Sequence, residues 1–204
     1  MATTTSPPIA AETSHDQRIV LHGVSWSQYE MLLAIRGDGA GVRMTYLEGE
    51  LELMSPSVDH EGIKTTIGRL VEAYAEELGL SLNGYGSWTV RSAPRERGIE
   101  PDECYVLGTH RSETPDLAIE VIWSSWCIDK LEVYRGLGVR EVWLWREGRI
   151  EVLALKDEHY ARIQRSELLP GLDLERLAGH AQEPDQTQAV RAFRAWLRAG
   201  QAKV

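Results

Sequence analysis

Apolar positions along this chain change period repeatedly, and the changes divide it into elements. Trp26, Tyr29, Leu32 and Leu33 lie on one helical face behind Ser25 and Gln28, which have capping-box spacing, so a short helix is predicted there. Beyond the GDGAG breaker, residues 43–47 and 50–54 flank Glu48-Gly49, an acidic-Gly pair suited to a two-residue hairpin turn. Pro56 ends the hairpin. Ile63, Ile67, Leu70, Val71, Tyr74 and Leu78 then trace the longest helix, which Gly79 stops. Residues 88–91, 102–107 and 117–123 read as successive strands, and a helix is expected over 128–137. Strands over 141–145 and 149–155 meet at Gly148, and another strand covers 159–164. Val190, Phe193, Trp196 and Leu197 mark a final helix.

This order is mixed α/β (α+β). Adjacent strands can pair antiparallel through short turns, whereas a strictly parallel fold needs a helical crossover after nearly every strand. A Rossmann fold and a TIM barrel are therefore rejected in favour of a mixed central sheet flanked by helices. A length of 204 residues fits one domain with a sizeable core. The folded unit is expected to begin at Arg18 and its last helix to reach about Leu197, behind a mobile arm over residues 1–17 rich in Thr, Ser, Pro and Ala.

Composition narrows the chemistry. With 43% hydrophobic and 26% charged residues the chain is of the soluble globular type. Cys104 and Cys127 are too few for a disulfide framework and too far apart for a CxxC motif, which points to a reducing, cytoplasmic setting. There is no apolar run of about 18 residues and no signal-peptide start, so neither secretion nor membrane spanning is expected. The motifs GxSxG, HExxH, GxxxxGK[ST] and GxGxxG are absent, and the six histidines are scattered, so a structural zinc site is not expected. The net charge of -9 argues against a nucleic-acid partner, because such binding needs Lys and Arg to displace counterions.

Acids placed at and inside strands stand out against that background. Glu120 within LAIEVIW must be paired, protonated or bound to a cation, since an unpaired buried charge costs several kcal/mol. Alternation places Asp116 on the same face as Glu120. If the strand at Asp102 pairs with this one, Asp102 and Glu120 converge and offer oxygen ligands to Mg2+ or Mn2+. The competing reading for Glu120 is an ion pair with arginine, and for Asp102 a Pro-Asp turn. Lys130, near a helix start where a cation is unfavourable, has a reason to be there if it meets the carboxylates; otherwise it pairs with Asp129 or Glu132 in solvent. Glu50 and Glu52 on one hairpin face, and His60 at the start of the long helix, are weaker candidates at the cleft edge. Trp123 and Trp126 either stack on bases or belong to the core.

Together the segments YLEGELELMSP, RGIEPDECYVL, PDLAIEVIWSS, DKLEVYRGLGVREVWLW and LLPGLDL, with His60 between the first two, resemble the Uma-two-like restriction endonuclease family of the PD-(D/E)xK nuclease superfamily. The resemblance covers about residues 26–177. It implies a restriction-endonuclease-like core and metal-dependent phosphodiester hydrolysis. Asp102 matches the Asp of the PD motif and Glu120 the acid of (D/E)xK, while Ile122 stands where the pattern has lysine. Lys130, on the next helix, is the implied substitute. Glu50 matches the acid of the early hairpin and His60 the helix histidine, and Asp116 matches a recurrent Asp.

The expectation is thus a Mg2+- or Mn2+-dependent endonuclease acting on nucleic acid, DNA more than RNA. Asp102, Glu120 and Lys130 are its catalytic residues, Asp102, Glu120 and Glu50 its metal ligands, and His60 and Asp116 accessories. Two alternatives are a nuclease-like module without catalysis that binds DNA or dimerises, and an acidic interaction protein. Arg91, Arg95 and Arg97 are expected as a local basic rim, and an exposed apolar strand over 141–145 as a homodimer surface. The acidity itself makes binding to nucleic acid dependent on added divalent cations.

Overall fold

The structure, a computed structural model, describes residues 15–37, 41–110, 112–123 and 126–201. Its first half contains β1 (Gln17–His22), α1 (Trp26–Arg36), β2 (Arg43–Leu47), β3 (Glu50–Ser55), α2 (Val58–Leu78), β4 (Leu82–Gly84), β5 (Val90–Ser92), β6 (Arg97–Ile99) and β7 (Glu103–Leu107). There follow β8 (Leu117–Val121), α3 (Lys130–Leu137), β9 (Glu141–Arg146), β10 (Arg149–Lys156), β11 (His159–Ile163), α4 (Leu174–Ala181) and α5 (Gln186–Gln201).

The fold is mixed α/β, but the strands form two sheets where one central sheet was expected. The first has the order β1-β3-β2-β6-β5 and is antiparallel throughout. The second runs β11-β10-β9-β8-β7-β4, with β8 and β9 parallel across the α3 crossover and its other pairs antiparallel. The reason for the split is that β6 takes the free edge of β2 through Thr45↔Ile99. The chain therefore leaves the first sheet at Ile99 and enters the second at Glu103.

Three apolar layers fix these sheets. On one face of the second sheet, Ile67, Leu70, Val71 and Tyr74 of α2 and Phe193 of α5 pack on Leu117, Ile119, Val121 and Trp143. Each such side chain contributes about 1.5–3 kcal/mol on full burial. On the other face, α3 lies between the sheets: Val133, Tyr134 and Leu137 meet Val90 and Ile99 from the first and Ala118, Ile122 and Val142 from the second. α1 covers the far face of the first sheet, where the Tyr29 and Tyr46 rings stack at 4.9 Å. Gly98 lies directly under Tyr29, where a Cβ has no room.

Local chemistry explains the boundaries. Ser25 and Gln28 close the expected capping box, with Ser25 N–H donating to Gln28 Oε1 at 2.8 Å. Glu48 and Gly49 take φ of 45° and 100°, the left-handed pair of a tight hairpin turn. α2 starts earlier than its apolar spacing suggests because Ser57 caps it, accepting the His60 N–H at 3.2 Å. Gly79 ends it in the left-handed region at φ 65°.

Two expectations need correction. The strand over 141–145 is no docking edge: β9 sits between β8 and β10 and is buried as far as Trp145. The arm over 1–17 lies outside the described residues as far as residue 14, but Asp16 and Gln17 belong to the fold. β1 escaped the pattern because its alternation is inverted: Ile19 is 60% exposed, while the Arg18 side chain is only 8% exposed. Among the described residues no helix is long and apolar enough to cross a membrane.

Candidate active site

Antiparallel register brings the two principal acids together. β7 and β8 pair Glu103 with Ile119 and Cys104 with Ala118, so Asp102, one residue earlier, stands across from Glu120. Asp102 Oδ2 accepts the Val121 N–H at 2.7 Å and lies 2.9 Å from His60 Nε2. Asp102 and Glu120 are both buried.

The helix between the sheets supplies Glu120 with its partners. Lys130 Nζ donates to Glu120 Oε2 at 2.7 Å, and the Tyr134 hydroxyl donates to Oε1. Lys130 and Tyr134 are four residues apart on α3 and so share its inner face. Asp129 caps the helix by accepting the Glu132 N–H at 3.1 Å. Lys130 is buried rather than paired in solvent, and Glu120 offsets its unfavourable place in the first turn. Burial, reinforced by the Glu120 charge, pushes the Tyr134 hydroxyl far up, so it stays a neutral donor. Ile122, at the motif's lysine position, packs into the α3 layer.

A second group of side chains closes around Asp102. The His60 ring is held between two carboxylates, with Nδ1 3.0 Å from Asp16 Oδ2 and Nε2 on Asp102. Both ring nitrogens are engaged, so His60 bridges the two carboxylates. Asp16 also accepts the Ser57 N–H at 3.0 Å. Burial pushes Asp16 up, but hydrogen bonds from His60 and Ser57 and the charges of His60 and Arg18 outweigh it and hold the carboxyl at about 2. Arg18 pairs with Glu52 at 3.2 Å, and Glu52 also accepts the Cys127 N–H at 3.3 Å. Arg43 contacts both Glu61 and Asp102 Oδ1.

The structure does not bring every expected residue here. Glu50 is 44% exposed and pairs at 2.5 Å with His22 across β1 and β3; its neighbour Glu52 is the hairpin acid that turns inward. Asp116 lies four residues from Glu120 along β8, about 13 Å away at strand rise. There it accepts the Leu107 N–H at 2.8 Å and pairs with Arg140. The proposed basic rim is consumed internally: Arg91 pairs with Glu30, Arg95 donates to Gly136 O, and Arg97 pairs with Glu48 and Glu132. Trp123 packs edge-on against Trp145 and is 41% exposed.

Asp16, Arg18, Arg43 and Tyr134 were missed, and Glu52 was placed at the cleft edge but second to Glu50. The test applied to Glu120, an acid between apolar strand residues, finds Glu52 between Leu51 and Leu53 equally well. Tyr134 was legible as the residue one helical turn after Lys130. Asp16 carried no signal.

No group of three or more His, Cys, Asp or Glu side chains among the described residues is arranged to hold a metal ion. A hard cation needs only one or two carboxylates, with water completing its shell, and Asp102 and Glu120 across the ladder supply two. Asp102 Oδ1 is also the one carboxylate oxygen among the described buried side-chain atoms without a hydrogen bond; its contact is the ion pair with Arg43. The donor set fits such a cation at Asp102 in place of the Arg43 guanidinium.

The model of the Uma2 family, described as "Putative restriction endonuclease", matches residues 26–183. The chain belongs to the Uma2 family. Among solved structures it is similar to a "putative nuclease belonging to DUF820" from Anabaena variabilis. The identity is 12% and the TM-score 0.45, over 74% of this chain and 90% of that one. None of the curated proteins matches it.

Proposed function

We propose that this protein is a Mg2+- or Mn2+-dependent endonuclease that hydrolyses phosphodiester bonds in nucleic acid, DNA in preference to RNA, in a reducing, cytoplasmic setting. The observation that carries the reading is Lys130 Nζ at 2.7 Å from Glu120, on the strand beside Asp102, in a member of a restriction endonuclease family. Asp102 and Glu120 would hold the cation, with Glu52 in place of Glu50 as the nearby hairpin acid. When bound, the cation supplies a polarised phosphate and a water of lowered pKa. Lys130 would orient a water or offset charge developing on the phosphate. Tyr134 holds the Glu120 carboxylate, and the Val121 N–H with His60 holds Asp102. Arg43, once off Oδ1, is a cation available to a phosphate oxygen.

The deciding experiment is a cleavage panel over single- and double-stranded DNA and RNA with Mg2+ and Mn2+, run beside Asp102→Asn, Glu120→Gln and Lys130→Ala. Cleavage that all three folded variants lose supports the reading, and no cleavage of any substrate by the parent sinks it. A second reading, a nuclease-like module that binds DNA or dimerises without catalysis, is favoured by the closure of the cluster. Asp102, Glu120 and Lys130 are 0%, 1% and 2% exposed and already paired. It predicts Ca2+- or Mg2+-dependent DNA binding without turnover.

A further inference from the structure

The family match begins at residue 26, but the buried network around Asp102 reaches back to a residue ahead of it. Asp16, whose side chain is 1% exposed, ties three parts of the chain together. One oxygen accepts the Ser57 N–H at 3.0 Å, at the cap of α2. The other lies 3.0 Å from His60 Nδ1 and 3.4 Å from Arg18 on β1. At the far side of the same ring, Nε2 meets Asp102 Oδ2 at 2.9 Å.

We propose that Asp16 is a positioning residue of the nuclease centre, acting through His60 on Asp102; the inference rests on the nuclease reading given above. An imidazole held at one nitrogen alone can turn about its Cβ–Cγ bond, and a carboxylate on the second nitrogen fixes the ring plane and makes that nitrogen a donor. Asp16 does this for Nδ1, so Nε2 is kept aimed at Asp102 Oδ2. The Val121 N–H reaches the same oxygen at 2.7 Å. With Oδ2 engaged twice, the carboxylate has one orientation, and the oxygen a cation would take, in place of the Arg43 guanidinium, is Oδ1. Without Asp16, Nδ1 faces a buried site with no acceptor in place, and the hold on Asp102 loosens. The segment ahead of the family-matched region thus completes the centre although it supplies no ligand.

The test uses the full chain with Asp16→Asn, Asp16→Ala and Asp16→Glu, and His22→Ala as a control that breaks a β1 contact outside the network. Mn2+ affinity is read by calorimetry, cleavage as kcat and KM, and folding by thermal melting. The Asn and Ala variants are expected to lose about 10–100-fold in Mn2+ affinity and in kcat, the scale for removing a residue that orients a ligand, with KM little changed. Asp16→Glu should recover part of the loss, and His22→Ala should bind Mn2+ as the parent does. A merely structural Asp16 would lower the melting temperature and leave the Mn2+ affinity of the folded protein at the parent value, which overturns the inference alone. A parent that neither binds Mn2+ nor cleaves overturns the nuclease reading and this inference together. If Asp16→Ala does not fold, Asp16→Asn is read in the same Mn2+ titration, and a folded Asn variant with the parent's Mn2+ affinity overturns the coupling.

Discussion

Glu120 and Glu141 are both 1% exposed, on neighbouring parallel strands, and their surroundings differ in kind. Glu141 accepts from Trp143 Nε1 at 3.0 Å, Ser166 Oγ at 2.7 Å and the backbone N–H groups of Glu167 and Leu168 at 2.6 and 3.0 Å. Every donor there is neutral and two are main chain, so this carboxylate fastens the turn before α4 to the start of β9. Glu120, at the opposite end of the parallel pair, is held by the long Lys130 side chain and by Tyr134, beside an acid whose second oxygen lacks a hydrogen bond. Burial of a strand acid is thus no mark of function by itself. A carboxylate saturated by fixed neutral donors is a fastening, and one held by a side-chain cation can exchange that partner for another cation.

The sharpest separation of the two is catalytic. Glu120→Gln is expected to lower cleavage by about 10²–10³-fold or more, the scale of losing one preorganised electrostatic group, while folded Glu141→Gln keeps the parent rate. Equal rates for Glu120→Gln and the parent in a plasmid assay would remove Glu120 from the site.

Stability should separate them next. Lys130→Ala leaves Glu120 charged and buried, at a cost of about 3–5 kcal/mol in urea unfolding. Glu141→Ala strands several donors, at about 1–3 kcal/mol for each one left unsatisfied. The contrast lies in the response to metal. A cation that binds near Glu120 stabilises the folded state by about 2.7 kcal/mol at a hundred times its Kd, so Mg2+ should recover part of the Lys130→Ala loss. In Glu141→Ala the recovery should be no larger than the parent's own shift. Equal gains in both variants would mean that the cation does not act at Glu120.

The same contrast explains what the sequence made legible. Glu120 was readable because a charge inside LAIEVIW violates its own strand, and Lys130 because a cation at a helix start calls for a partner. Glu141 sits at a strand start, where an acid looks ordinary, and three of its four donors come from residues 166–168, a separation no local pattern encodes. Hairpin, long helix and strand periods were plain wherever one face of an element is apolar. The division into two sheets was not, since it depends on β6, three residues long, choosing the edge of β2. Asp16 was hidden because it ends a stretch that reads as an arm, and Arg18 because β1 turns that side chain inward while it exposes Ile19.

Acid provides a smaller test of the cluster. Asp16 is held at about 2, below its ordinary value of 3.8. A carboxylate with a depressed folded-state pKa stabilises the fold fully above its unfolded value, and that contribution is lost as pH falls through the folded one. Melting temperatures should therefore fall between about pH 4 and pH 2, with a shallower fall in Asp16→Asn, whereas Glu141→Gln should leave this Asp16-dependent part of the slope in place. An identical acid slope in parent and Asp16→Asn would show that Asp16 does not titrate as its contacts require.

The mildest probe compares the two thiols. Cys104 lies within β7 in the sheet, and burial pushes its thiol up to about 12, so in the native protein it is both inaccessible and protonated at pH 8. Cys127 is exposed and its N–H donates to Glu52, which places it beside the inward-turned hairpin acid. Iodoacetamide at pH 8 should label Cys127 and spare Cys104 until urea unfolds the chain. If Mg2+ binding reorganises the acids around Cys127, its rate should change with added Mg2+ while Cys104 stays protected. A Cys127 rate indifferent to Mg2+ in a protein shown by calorimetry to bind it would confine the response to Asp102 and Glu120 and leave Glu52 with a purely structural part.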